Sequence, residues 1–258
     1  EPAEAIVVTG KVTLDLNGCT VAATMESKGK AFIVEQTGSL TIRDSGKDGK
    51  ITFTVPADKG RPNNDLIRVT GNFTLEGGML ETNDGCTVRI DGDGLSTTPQ
   101  GIINGGTVSN ICLYNNVGIA INVVNKGSLT VNVGRVEQTT CGESVIFGDQ
   151  AVKITGGVIT GNAYHTILAY GPFTMSGGRI EQTSDKEVNR YWYNPVTAIY
   201  NGQGSSPMII TGGGIVSSKM AFSYTGINSP GEVQISNAKI SAGNALFFSN
   251  NNRAVVKA

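Results

Sequence analysis

Residues 152–161 read Val-Lys-Ile-Thr-Gly-Gly-Val-Ile-Thr-Gly, and residues 173–182 read Phe-Thr-Met-Ser-Gly-Gly-Arg-Ile-Glu-Gln. The second stretch repeats the first: an alternating segment, a pair of glycines, and a second alternating segment. Outward from this pair the pattern recurs upstream as Phe73 to Thr82 and Leu129 to Gln138, with a weaker copy from Ile103 to Val108. Downstream it recurs as Met208 to Ser217 and Val233 to Ala242. Aligned on the second turn residue, the copies place Leu75, Ile103, Val131, Ile154, Met175, Ile210 and Ile235 three positions before it. Two positions after it stand Leu80, Val108, Val136, Ile159, Ile180, Ile215 and Ile240. Every member of both columns is apolar and the residues between them are mostly polar, which is the period-2 signature of strands on either side of a turn.

The turn positions 78, 106, 134, 157, 178, 213 and 238 are 28, 28, 23, 21, 35 and 25 residues apart. A unit of that size cannot enclose a core of its own, so each must bury its apolar edge against the next in a quasi-one-dimensional stack. An antiparallel sandwich would not put the same apolar columns in every unit. A third strand precedes many of the units, as in Ala31–Val34, Asp65–Val69, Gly118–Ile121, Ser144–Phe147, Thr166–Ala169, Ala198–Tyr200, Ala221–Tyr224 and Ala245–Phe248. The expected fold is all-β: a single-stranded right-handed parallel β-helix of roughly nine to ten three-strand coils, forming one domain over residues 1–258. In the first coil Leu16 and Val21 are expected in the apolar columns, with Cys19 at the second turn position. The last stretch, Ala254–Lys257, reads as the strand of a further coil, so the native polypeptide is expected to continue.

Composition agrees. The 258 residues include 35 glycines and only 16% charged residues, a mixture that favours strands joined by tight turns. A net charge of −1 with no Lys/Arg run argues against nucleic acid as a partner, and no apolar run reaches the length of a membrane span. The chain begins at Glu1 rather than Met, as it would after removal of an export signal or after trimming. Cys19, Cys86, Cys112 and Cys141 form no CxxC pair and no Cys/His cluster, so they are expected to pack as small apolar residues; a disulfide requires two of them in neighbouring coils.

With the repeats in place, the chain resembles the pectin-lyase-like superfamily of right-handed β-helices. More narrowly, it resembles repeat-rich, adhesin-like surface proteins of bacteria, through Val12 to Gly18 (Val-Thr-Leu-Asp-Leu-Asn-Gly) and Leu40 to Gly46 (Leu-Thr-Ile-Arg-Asp-Ser-Gly). The resemblance implies a secreted or cell-surface protein. It includes both polysaccharide-cleaving enzymes and proteins without known activity, so it does not fix function. Cys19 is a departure, since a Lys or His is expected there.

A glycan-cleaving site needs converging carboxylates. On the third-strand face Glu143 and Asp149 are the available acids, with Tyr170 in a neighbouring coil; no acid column appears, and no catalytic residue is assigned. Glu81, Glu137 and Glu181 share one repeat position and Arg135 and Arg179 another, and both read as outward strand positions. Asp91-Gly-Asp-Gly94 lacks the later acids of a calcium loop and reads as a polar turn. His165, the single histidine, reads as structural. No metal or other cofactor is expected.

The longest interval, between Gly178 and Gly213, carries the single tryptophan. Arg190, Tyr191, Trp192 and Tyr193, with Asp185, have the chemistry of a sugar-stacking platform, with a polysaccharide or surface glycan as partner. The alternative is that Trp192 covers the side of the helix. The reading favoured is an extracellular non-catalytic module for adhesion or glycan contact. A polysaccharide lyase or glycoside hydrolase with a diverged site is the second, and a structural spacer the third.

Overall fold

The computed structural model describes residues 4–24, 29–56, 64–112, 118–140, 142–184, 188–189, 194–201, 206–224, 233–248 and 254–256. For 188–189, 194–195, 224, 245–248 and 254–256 this description is of the backbone. Described residues form strands and turns without a helix. Apart from one short ribbon, every strand pair is parallel and joins one coil to the next. The chain is therefore a parallel β-helix with three sheet faces, named A, B and C in the order in which each coil visits them.

Face A stacks ten strands, from Ile6–Val8 and Lys30–Val34 through Asp65–Val69, Cys86–Asp91, Ile119–Val124, Ser144–Gly148, His165–Ala169 and Thr197–Asn201 to the second halves of Gly214–Tyr224 and Lys239–Phe248. At the usual spacing of about 4.8 Å per level, ten levels make a rod of roughly 45 Å. Faces B and C hold the two halves of the glycine-turn unit. The B column runs in strict register, Leu75 on Ile103, then Val131, Ile154, Met175, Ile210 and Ile235. The C column runs likewise from Leu80 through Val108, Val136, Ile159, Ile180 and Ile215 to Ile240. All are buried in one continuous core except Ile240, 37% exposed on the last described C strand, over which no further C strand lies among the described residues. The hydrophobic contribution thus comes from rung-on-rung contact, which no single coil could make alone.

The turns explain the glycines. Gly78, Gly106, Gly134, Gly157, Gly178 and Gly213 all have φ between 67° and 95°, a region that side chains with a Cβ avoid. Two turns differ from expectation. In the last unit the positive φ (53°) falls on Asn237 rather than on Ala238, because asparagine tolerates the left-handed region better than alanine. In the first coil Leu14, not Leu16, pairs with Ile42 in the B column, and Asn17 and Gly18 take the positive φ rather than Cys19. Leu16 is still buried, filling a wider corner. Cys86–Asp91 is a face A strand that the sequence reading did not include; its alternating Arg89 and Asp91 give it the polarity of a loop.

Candidate functional site

Most candidates lie on the outer side of face A, and its shape follows from a local irregularity. Leu66 and Ile67, Ala120 and Ile121, Val145 and Ile146, and Ala198 and Ile199 are pairs of successive residues that both enter the core. Two inward residues in a row bend the strand and interrupt the ladder: Cys86 pairs with Asp65 and Val88 with Ile67, with no pairing between. The outward side chains before and after the bend then close on each other across the outer surface. Within one coil Arg89 Nη2 reaches Cys86 Sγ at 3.7 Å. Between coils the contacts run diagonally: Arg89 Nε donates to Asp65 Oδ1 at 3.2 Å, Asn122 Nδ2 to Cys86 Sγ at 3.6 Å, and Tyr200 stacks on His165 with ring centroids 4.7 Å apart. Each contact joins the residue before the bend in one coil to the residue after the bend in the next.

Polar groups are consequently buried outside the apolar core. Asp65 is 1% exposed, and burial raises its pKa more than the facing Arg89 guanidinium lowers it. The Cys86 thiol is pushed up to about 12 by burial and the neighbouring Asp65. His165, 2% exposed, shares a 2.9 Å hydrogen bond with Thr197 Oγ1, and burial lowers its pKa to about 3, so the ring is neutral and structural. Asp91 closes the same surface: it pairs with Arg68 at 2.7 Å and accepts hydrogen bonds from Asn125 Nδ2 and the Asp93 N–H. The Asp91–Gly94 segment is thus tied into a turn by its first carboxylate. Among the described residues no group of three or more His, Cys, Asp or Glu side chains converges as a metal site would require.

Glu143 and Asp149 flank the strand Ser144–Gly148, one at each end. They are six positions apart in the chain, and the bend at Val145 and Ile146 lies between them. Burial raises the pKa of both, and the Asp91 charge adds to the effect at Asp149. Tyr170 meets Phe147 edge to face at 5.5 Å, and its pKa is raised by burial, then by Glu143 and Tyr200.

The segment with the sugar-stacking chemistry falls, in sequence, between the strands Arg179–Gln182 and Thr197–Asn201. Val188–Asn189 pairs antiparallel with Asn194–Pro195, so the only antiparallel pairing among the described residues brackets Trp192. Asp185, Arg190, Tyr191, Trp192 and Tyr193 lie outside the described residues, as does Cys141. Cys86 and Cys112 are buried, as small apolar residues would be; Cys19 is exposed, against expectation, at the corner of the first described coil.

That corner accounts for the two motifs shared with surface proteins. The Asp44 carboxylate accepts from the N–H groups of Gly18 (2.7 Å), Gly49 (2.8 Å) and Gly46 (3.2 Å). Asp15 accepts from Ser45 N and Oγ, Asn17 N and Arg43 Nε. Backbone donors hold both carboxyls below the usual range, the Ser45 N–H foremost for Asp15 and the Gly18 N–H for Asp44. A Cβ on Gly46 would come within 2.4 Å of Gly18 N, so glycine is required where the two motifs cross. The motifs are a structural clasp between the first two coils.

Face C is open. Arg135 pairs with Glu137, and Arg179 with Glu181, along single strands on its outer side, both arginines about half exposed. Behind it runs a feature missed in the sequence: Thr82, Asn110, Gln138, Gln182 and Ser217 share one buried column at the corner between faces C and A, with Gly161 at the level between the two glutamines. Gln182 donates to the Tyr164 and Thr197 carbonyls and accepts from the Ser184 N–H; Gln138 and Asn110 make the matching bonds to Thr140 N and Cys112 N. Strand parity was the available signal, since each lies two residues after an inward apolar residue and so must point inward as well.

No helix among the described residues is long and apolar enough to cross a membrane. No family model matches the chain, and no solved structure matches it. Outer membrane protein A of Rickettsia rickettsii is similar: it is 27% identical over 218 residues, a span that is 80% of this chain but 9% of that protein. The match thus relates this β-helix to a small part of a long surface protein, at an identity too low to assign a family.

Proposed function

We propose that the chain is a cell-surface β-helix module that works by contact, in adhesion or glycan binding, rather than by cleavage. The observation that carries this reading is the contrast in outer surfaces. The face A surface, where acids were sought, is filled by its own interlocked side chains. The B surface, in contrast, carries an outward column of Thr41, Thr74, Ile102, Thr130, Lys153, Thr174, Ile209 and Gln234, four of them threonines and only Lys153 charged. Such a surface offers repeated hydroxyl groups and no enclosed cleft, which suits an extended ligand. The similarity to a rickettsial outer membrane protein supports a surface location, and the coil pattern is in keeping with the pectin-lyase-like superfamily. Arg190, Tyr191, Trp192, Tyr193 and Asp185 are proposed as the glycan-contacting segment on the strength of their chemistry.

The test is a panel of plant, host and microbial polysaccharides, scored both for retention of the protein and for new chain ends. Retention without new ends, lost in Trp192→Ala, is expected. New ends from any polysaccharide would overturn the reading in favour of a lyase or hydrolase, and no retention on the whole panel would leave a spacer.

A further inference from the structure

On the outer side of face C one column reads Met79, Thr107, Arg135, Val158, Arg179, Gly214 and Lys239 in register. Gly214 lies in a notch of about 370 Å³ between Arg179 and Lys239, lined also by Val216, Ile240, Ser241 and the turn glycines Gly178 and Gly213. Three observations set this notch apart. First, the fold does not require glycine there: φ at Gly214 is not positive, and a Cβ would find its nearest neighbour, Arg179 Cγ, at 4.0 Å. Second, the neighbouring column carries carboxylates at Glu81, Glu137 and Glu181, the last paired with Arg179 at the edge of the notch, and continues as Val216 and Ser241, so no carboxylate of that column stands at the Gly214 and Lys239 levels. Third, Lys239 is exposed and, among the described residues, has no ion-pair partner.

We propose that this notch binds one anionic group, a sulfate or a carboxylate, of a polyanionic glycan, held between the Arg179 guanidinium and the Lys239 ammonium over the Gly214 backbone. The proposal rests on the reading of the chain as a glycan-contact module and names the glycan class. Arg179 supplies a planar fork and Lys239 a mobile point charge, and they stand two levels, about 10 Å, apart. A shallow open depression lined by turn backbone, Val216, Ile240 and Ser241 gives a sugar ring an apolar wall beside the two cationic side chains that would take its anion.

The probe is a sulfated heparin hexasaccharide, with its desulfated form and a neutral maltohexaose as controls, titrated calorimetrically at low salt. Roughly tenfold weaker binding is expected for Lys239→Ala, with recovery in Lys239→Arg. Gly214→Val should abolish the difference between heparin and maltohexaose while leaving the melting temperature unchanged, because a β-branched residue suits the strand. Desulfated heparin binding as tightly as the sulfated form would assign the notch to carboxylate; loss on desulfation would assign it to sulfate. Heparin affinity unchanged in a folded Gly214→Val protein would overturn the notch and leave glycan contact standing, as would retention of neutral glycans alone by the wild type. Failure of the wild type to retain any glycan would overturn both.

Discussion

On the outside of face A the side chains of one coil lie under those of the next, whereas on face C they stand in water beside partners on their own strand. Both faces are parallel sheets with the same ladder spacing, so the difference does not come from strand pairing. It comes from the two successive core residues in each face A strand, which bend the strand and fold its outer surface inward. A single insertion into the alternation therefore turns a solvated surface into a second buried layer, and buried ion pairs there carry energetic consequences that exposed ones do not.

The sharpest way to break the comparison is to remove the arginine from one ion pair on each face. Arg89→Ala leaves Asp65 buried without its partner and should cost about 3–5 kcal/mol at neutral pH. Urea unfolding should show a smaller loss in Asp65→Asn/Arg89→Met, which removes both charges; an equal loss would mean that packing rather than the charge dominates. His165 gives the second test. Its folded pKa of about 3 lies below the ordinary 6.5, so the unfolded chain takes up a proton that the folded chain refuses. Stability is complete above about pH 6.5 and falls with pH towards 3, by about 2–3 kcal/mol at pH 4.5. Unfolding midpoints measured against pH should lose this slope in His165→Gln, and a slope that persists would place the acid sensitivity elsewhere. Gln182→Leu, which removes the amide from the corner between the two faces, should cost about 1–3 kcal/mol by removing the bond to the Thr197 carbonyl and stranding the Ser184 N–H, while the Tyr164 carbonyl keeps the Thr197 N–H. The smallest effect belongs to face C: Arg179→Ala should change stability by less than about 1 kcal/mol, since its partner remains hydrated. A loss there as large as that of Arg89→Ala would end the distinction.

The B and C strands were legible because each glycine pair marks a turn, and from that mark parity assigns every neighbouring side chain; Ile154, Ile159, Met175 and Ile180 fall where counting puts them. The same counting, continued two residues, reaches Gln138 and Gln182, which polarity alone would send to the surface. Face A resists such counting. Its bend reverses parity within a strand, so Asp65 and Ile67, an even number of residues apart, lie on opposite sides, and nothing in the local residue types marks the reversal. The clasp of Asp15 and Asp44 was visible as a motif but not as a mechanism, because its donors come from two coils. The notch at Gly214 was hidden among turn glycines that the backbone requires, from which it differs only in its φ.

The diagonal contacts on face A also have a direction. In three of them the residue that is covered comes earlier in the chain than the residue that covers it, Asp65 before Arg89, Cys86 before Asn122 and His165 before Tyr200, while the Arg68–Asp91 pair runs the other way. A coil is thus finished only when its successor arrives. A chain that enters its working space one end first would be roofed tile by tile in the order of its sequence, each tile lapping the one laid before. Stripping such a roof begins at the last tile, so the rod should fray from its C-terminal end and hold longest at the coils laid down first.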